Sequence, residues 1–340
     1  MQLNCSEPMI HVSRGPLTES VHRGFIAVTD TEGNVLYQLG DPDYITFARS
    51  AAKLLQALPV IESGAVDRYG LNEREISLLS ASHSGEAEHV DTVHSILRKI
   101  GAAEDELQCG PHFPLNRDAA SLIRERGGKP GRVHNNCSGK HSGMLAWSHH
   151  LGEATEHYMS PDHPVQQAML GAVADMAGLA PSGVVLGTDG CGVPVFGMPL
   201  RRLAQAYARL GRPDGLPDER AAACRRVTAA VARHPFYLAG TDRFDTRLIE
   251  VSQGRILGKF GAEGVFALSV PDRGWGLALK VEDGAERALY PAVLEAVSQL
   301  GLLTASELAQ LAAFRRPELR NWAGTQVGYI TPAFRLEPRG

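Results

Sequence analysis

Strand-forming residues sit at both ends of this chain with a helical middle between them, and that distribution restricts the fold more than any other feature. Residues 24–30 (GFIAVTD) and 35–40 (VLYQLG) flank Thr31-Glu32-Gly33-Asn34, two β-rich runs around a glycine-containing turn, which predicts a hairpin. Toward the other end, residues 249–251, 255–259, 264–270 and 276–282 read as strands separated by glycine turns. Helical patterning fills the interval: a segment starting near Asn72 with Glu75 as its capping-box partner, then residues 87–100, 116–126, 144–150, 164–177, 200–210 and 218–233. Two more helices, over 290–301 and 305–314, follow the last strands. The economical arrangement is an α+β fold. Both chain ends join in one mostly antiparallel sheet covered by the Tyr290 helix, a helical lobe stands beside it, and the active site is expected between them. The reading is of a single domain, with a sheet lobe at about 1–48 and 245–340 and a helical lobe at about 49–244.

Composition narrows the function classes. Apolar residues at 44% and charged residues at 21% are ordinary for a globular chain of 340 residues, which is long enough to bury a sizeable core. A net charge of −4 without blocks of like charge argues against nucleic acid or an anionic membrane as partner. No stretch approaches a transmembrane run, and the start, Met1-Gln2-Leu3-Asn4-Cys5-Ser6-Glu7, has neither a basic nor an apolar targeting segment. Five cysteines are too few and too scattered for a disulfide framework. The expectation is a cytoplasmic protein with free thiols, any functional cysteine being a metal ligand or a nucleophile.

The chemistry starts at Ala48-Arg49-Ser50-Ala51-Ala52-Lys53-Leu54-Leu55-Gln56-Ala57-Leu58-Pro59, which reads as a helix with Ser50 at its start, stopping near Pro59. Ser50 and Lys53 are three apart and project from one helical face. Serine at a helix start can be a simple N-cap. The leucines, however, pull the amine into a core, and Arg49 adds a positive charge nearby; both effects lower a lysine pKa, so Lys53 could take the proton of Ser50. Ser82, in Ser82-His83-Ser84-Gly85, and Lys259, in Gly258-Lys259-Phe260-Gly261, are candidates for a second proton-shuttling pair. Lys259 alone reads as an exposed residue at a strand end, because lysine is rarely buried.

Two glycine-rich loops hold a second cluster, His134-Asn135-Asn136-Cys137-Ser138-Gly139-Lys140-His141-Ser142-Gly143 and Gly187-Thr188-Asp189-Gly190-Cys191-Gly192-Val193-Pro194. Cys137, Lys140, His141, Asp189 and Cys191 can be read as zinc ligands, although there is no C-x-x-C pair and a ligating lysine must be neutral. Cys137 can equally be a nucleophile with His141 or His134 as its base, or both cysteines can be buried and inert. The remaining histidines follow no metal-binding spacing.

Taken together, Ala48-Arg49-Ser50-Ala51-Ala52-Lys53, Ala81-Ser82-His83-Ser84, Asn136-Cys137-Ser138-Gly139-Lys140-His141, Gly187-Thr188-Asp189-Gly190-Cys191 and Gly258-Lys259-Phe260-Gly261-Ala262 resemble the rhizobial-type, or class 3, L-asparaginases, over nearly the whole chain. The resemblance implies a fold like serine β-lactamases and glutaminases and hydrolysis of L-asparagine to L-aspartate and ammonia. It implies Ser50 as nucleophile with Lys53 as base, and Ser82 with Lys259 as a second Ser-Lys tandem. It further implies one zinc ion held by Cys137, Lys140 and Cys191, Asp189 gripping the substrate with Arg49 and His141 assisting, and a homodimer. Two rivals remain at this point: a serine hydrolase acting on β-lactams or peptides, and a non-catalytic zinc- or amino-acid-binding protein.

Overall fold

The computed structural model describes residues 5–339; residues 1–4, part of the stretch read above as free of targeting signals, and Gly340 lie outside the described residues. The chain begins with β1 (Glu7–Arg14), β2 (Leu17–Thr29), β3 (Val35–Leu39) and β4 (Ile45–Phe47). Helices follow as α1 (Lys53–Gln56), α2 (Leu58–Glu62), α3 (Ala65–Arg68), α4 (Glu73–Leu79), α5 (Ala87–Ile100), α6 (Arg117–Glu125), α7 (Ser138–Leu151) and α8 (Pro164–Met176). Strands β5 (Val185–Thr188) and β6 (Pro194–Pro199) precede α9 (Leu200–Gly211), α10 (Asp218–Arg233), α11 (Pro235–Leu238) and α12 (Phe244–Val251). The rest is β7 (Leu257–Gly261), β8 (Val265–Val270), β9 (Trp275–Val281), α13 (Glu286–Gln299), α14 (Ala305–Gln310), α15 (Ala312–Arg315), β10 (Glu318–Arg320), β11 (Gln326–Pro332) and β12 (Glu337–Pro338).

These elements form two compact units, one of residues up to 51, 197–212 and 247 onward, the other of 52–196 and 213–246. The first unit holds the antiparallel sheet built from both chain ends, in the order β10-β11-β1-β2-β9-β8-β7, with β3 also on β2 and β12 on β3. Its central register sets Ile26 opposite Leu279 and Ala27 opposite Ala278. Along β2, β8 and β9, consecutive residues such as Phe25 to Val28 and Val265 to Leu268 are buried, so the sheet is covered on both faces there. The covering helices are α9, on β9, β2 and β8, and α13, on β9, β1, β11 and β8. A Cβ on Gly276 would lie 1.9 Å from the Ala204 carbonyl oxygen, so only glycine lets α9 approach β9 this closely.

The second unit is helical. Helix α10 lies on α4 and α2, α7 on α4 and α5, and α8 on α1. The capping box expected at Asn72 is present: the Asn72 side chain accepts the Glu75 N–H, and Glu75 accepts that of Asn72.

Several expectations need correction. Residues 249–251 form no strand; they are the last turn of α12, where β-branched residues serve as buried helix positions. Residues 138–143, read as loop, are the first turns of α7. Gly139 is there because its Cβ would lie 2.2 Å from the Leu78 carbonyl oxygen, so the glycine marks close helix packing rather than a turn. The Ser50 segment is a 3₁₀ turn over Arg49–Ala52 followed by α1 and α2, and Pro59 lies in the first turn of α2, where its missing N–H costs nothing.

Candidate active site

The second unit gathers a buried set of amines and thiols. Helix α1 opens with Lys53, whose side chain is 1% exposed among Leu54, Leu55 and Leu58. Its Nζ lies 2.7 Å from the Ala81 carbonyl oxygen, 2.9 Å from Ser82 Oγ and 3.1 Å from Cys137 Sγ. Ser82 reaches this point because α4 ends at Leu79 and the irregular segment that follows is tied down by the Ser82 N–H, which donates to the Leu238 carbonyl. The Ala81 oxygen can only accept, whereas Ser82 can give or receive a hydrogen. An ammonium would therefore donate to all three groups, and a neutral amine could donate to Ala81 and Cys137 while accepting from Ser82.

Cys137 is the N-cap residue of α7, and Lys140 follows one turn later on that helix. Cys191 comes from the tight turn between β5 and β6, closed by the Gly192 N–H donating to the Asp189 carbonyl. Lys140 Nζ donates to Cys191 Sγ over 3.1 Å. Cys137 Sγ lies 3.4 Å from Asn136 Oδ1, to which its S–H can donate. The neighbouring Cys137, with Lys140 and His141 adding to it, pushes the Cys191 thiol far down, while Cys191 and burial push Cys137 up. Burial opposes charge on Lys140, but Cys191, Cys137 and Asp189 outweigh it and raise its pKa. Both shifts favour a Cys191 thiolate facing a Lys140 ammonium. His141, fully buried, has Nδ1 2.6 Å from the Tyr158 hydroxyl, and its Nε2 has no hydrogen-bond partner of normal geometry among the described residues.

This cluster fits the thiophilic ion that the resemblance implies, under one condition. Among the described residues no group of three His, Cys, Asp or Glu is placed to hold a metal, so a zinc ion needs the Lys140 amine as donor beside the two sulfurs. The protons of Cys137 and Lys140 are what an incoming cation would displace.

The first unit places the other predicted residues. Ser50 sits half-buried in the 3₁₀ turn, after Arg49, which adopts a left-handed φ of 49°. That is a costly conformation for a residue with a Cβ. The turn is held by the Ala51 N–H donating to the Ala48 carbonyl and by the Tyr207 hydroxyl donating to the Ala51 carbonyl over 2.6 Å. Lys259 lies inside β7 and is 0% exposed, which corrects the reading of it as an exposed strand-end lysine; its Nζ donates to the Phe260 carbonyl. Gly261, two residues on, packs against the same turn: its Cβ would lie 2.8 Å from the Ala48 oxygen.

Two residues escaped sequence reasoning. His83 is buried, with Nε2 2.8 Å from Ser138 Oγ, while Ser138 donates its own hydrogen to the Val133 carbonyl. His83 thus donates from Nε2 and accepts the Gly85 N–H at Nδ1, tying the Ser82 segment to the start of α7. Burial, then His89 and Lys53, hold it neutral. Its only signal was adjacency to Ser82. Tyr158, in an irregular segment between α7 and α8, carried no signal at all.

A family model described as L-asparaginase II matches residues 10–332, nearly the whole chain. The chain belongs to the L-asparaginase II family. It is therefore a member of an amidohydrolase family. Among curated proteins no sequence relative matches. Solved structures similar to this asparaginase II family chain include a β-lactamase from Mycobacterium bovis, 15% identical over 86% of this chain and 95% of that one, with a TM-score of 0.40. A putative β-lactamase from Bacteroides dorei DSM 17855 is 15% identical over 82% and 93%, with a TM-score of 0.43. Mglu in its native form is 14% identical over 83% and 65%, with a TM-score of 0.37. The family match, not these distant structures, assigns the chain. Among the described residues no helix is long and apolar enough to cross a membrane.

Proposed function

We propose that this protein is an L-asparaginase that releases ammonia from L-asparagine through a serine acyl-enzyme. The observation that carries the reading is the buried Lys53 amine beside a serine hydroxyl and a thiol, three residues after Ser50, in a chain of the asparaginase II family. Ser50 Oγ attacks the carboxamide carbon and its proton passes to neutral Lys53. Backbone N–H groups at the Ser50 turn hold the oxyanion. The C–N bond breaks as Ser82, with Lys259 as its further partner, delivers its hydroxyl proton to the departing ammonia and takes the proton that Lys53 received, which leaves Lys53 neutral. Water then attacks the ester, Lys53 takes its proton and gives it to Ser50 Oγ as the ester C–O bond breaks, and aspartate leaves with the Ser50 hydroxyl restored. Asp189 pairs with the substrate α-ammonium, and Arg49 and His141 complete binding.

A zinc ion held by Cys137, Lys140 and Cys191 would supply a fixed positive charge where the thiol, thiolate and ammonium now stand. The chain is further proposed to act as a cytoplasmic homodimer. The deciding experiment is ammonia release from asparagine and glutamine by the wild type and Ser50→Ala. The wild type should turn over asparagine and Ser50→Ala should lose activity by at least about a thousandfold with its fold intact. Near-normal turnover by Ser50→Ala would remove the nucleophile assignment, and an inactive wild type would remove the activity.

A further inference from the structure

Tyr158 is fully buried, and its hydroxyl has two neighbours. The Gln108 backbone N–H donates to the phenolic oxygen over 2.8 Å, and His141 Nδ1 lies 2.6 Å away. An N–H can only give a hydrogen, so Gln108 cannot receive the phenolic one. If Nδ1 also carried a hydrogen, the phenol would accept twice and its own hydrogen would be buried without an acceptor, which folded proteins avoid. The Tyr158 O–H therefore donates to Nδ1. Burial keeps the phenol protonated, and an Nδ1 that accepts its hydrogen carries none of its own. The single ring hydrogen of His141 must then sit on Nε2, the atom with no normal partner among the described residues and within the influence of the Cys191 sulfur.

The segment carrying Tyr158 is tied down by two glutamine side chains. Gln166 Nε2 donates to the Tyr158 carbonyl over 2.9 Å, and Gln108 Nε2 donates to the Thr155 carbonyl. The phenol ring stands edge-on to the imidazole, with centroids 5.5 Å apart.

We propose that Tyr158 is a positioning residue that fixes His141 as an Nε2–H donor directed at Cys191 and at an oxygen of the substrate. His141 consequently offers a hydrogen and not a lone pair, so it is no ligand of a cation held by Cys137, Lys140 and Cys191. The inference rests on the reading of this cluster as part of the asparaginase site only for its kinetic consequence; the proton's position stands independently of it.

The test is ¹⁵N–¹H correlation of ring nitrogens in protein labelled at histidine, with the His141 signals assigned by their loss in His141→Gln. The wild type, metal-free and zinc-loaded, should show His141 protonated at Nε2 and hydrogen-bonded at Nδ1. Tyr158→Phe keeps the ring and removes the hydroxyl; it should shift Nδ1 to its free position, reduce the Nε2–H population, and raise KM for asparagine about tenfold with a smaller change in kcat. A wild-type His141 protonated at Nδ1, or an Nε2 shifted by zinc, overturns the proposal, as does a Tyr158→Phe protein with an unchanged His141 spectrum. The wild-type spectrum decides the matter even if the variant fails to fold. A changed tautomer with unchanged KM upholds the positioning role and refutes the assignment of His141 to substrate binding.

Discussion

Replacing Gly261 by alanine tests the placement of Ser50 without touching any proposed reacting group. Gly261 ends β7 on the same strand face as Lys259, and a methyl there would lie 2.8 Å from the Ala48 oxygen and 3.3 Å from the Ala51 nitrogen. Those two atoms bracket Arg49 and Ser50 and are joined by the hydrogen bond that closes the turn. The turn cannot swing freely, because the Tyr207 hydroxyl holds the Ala51 carbonyl. Relieving the overlap requires the backbone at Ser50 to move by about 0.5 Å, at the usual overpacking cost of about 1–3 kcal/mol. Alanine also stiffens the unfolded chain, since Gly261 has no positive φ, which returns about 0.4–1 kcal/mol. The net expectation is a loss of about 1–2 kcal/mol in stability.

The catalytic effect should be larger than that loss suggests. A misplacement of about 1 Å at a reacting group costs about a hundredfold in rate, so half of it should lower kcat for asparagine roughly tenfold. Gly258→Ala is the matched control: on the same strand, its methyl would meet the Phe266 ring at 2.7 Å and Leu248 at 3.0 Å, away from the Ser50 turn. It should destabilise comparably and leave kcat nearly unchanged. Ammonia-release kinetics and thermal melts on both variants decide the point. A folded Gly261→Ala enzyme with wild-type kcat, or an equal loss in Gly258→Ala, would refute the reasoning that this turn sets the nucleophile.

Two further outcomes follow from the second unit. His89 is buried, accepting the Glu86 N–H at Nδ1 and donating to the Phe236 carbonyl from Nε2, and burial lowers its pKa despite the opposing Phe236 contact. The unfolded imidazole takes a proton near about pH 6.5 while the folded one does not. Stability is thus complete above that pH and falls as pH drops toward the lower folded value, by up to about 1.4 kcal/mol per pH unit. Melts of His89→Gln between pH 7 and 5 should show a shallower decline than the wild type, and a parallel one would exclude His89 as a source. Cys191→Ser removes the thiolate that accepts from Lys140, and should weaken zinc binding by about a hundredfold or more in competition with a chromophoric chelator; equal zinc retention would count against the ligand set.

The sheet was legible in outline because its central strands are apolar runs bounded by glycine. Strands β1, β10, β11 and β12 were not, because their buried residues alternate with polar or exposed ones over short spans, as in β10, where Leu319 is half-buried between exposed Glu318 and Arg320. Helix α9 was legible as a helix but not as a partner of β9; amphipathic spacing says that one face is covered, not by what. The start of α7 was misread because glycine weakens a helix on average, and nothing in the sequence reveals that the Leu78 carbonyl needs the space.

At the site, sequence spacing named the lysines but could not assign their partners, and the partners divide their roles. Lys140 faces a thiolate at 3.1 Å, with Asp189 adding to the same field, so its pattern of contacts requires an ammonium unless a metal takes the proton's place. Lys53 faces a carbonyl, a hydroxyl and a thiol, a set that satisfies either an ammonium or an amine accepting from Ser82. A residue that must give and take a proton within one turnover needs contacts that survive in both states. Lys53 has them and Lys140 does not. The same reasoning explains the thiol at Cys137: a carboxylate in its place would fix Lys53 as an ammonium, whereas a neutral sulfur leaves the amine free to change.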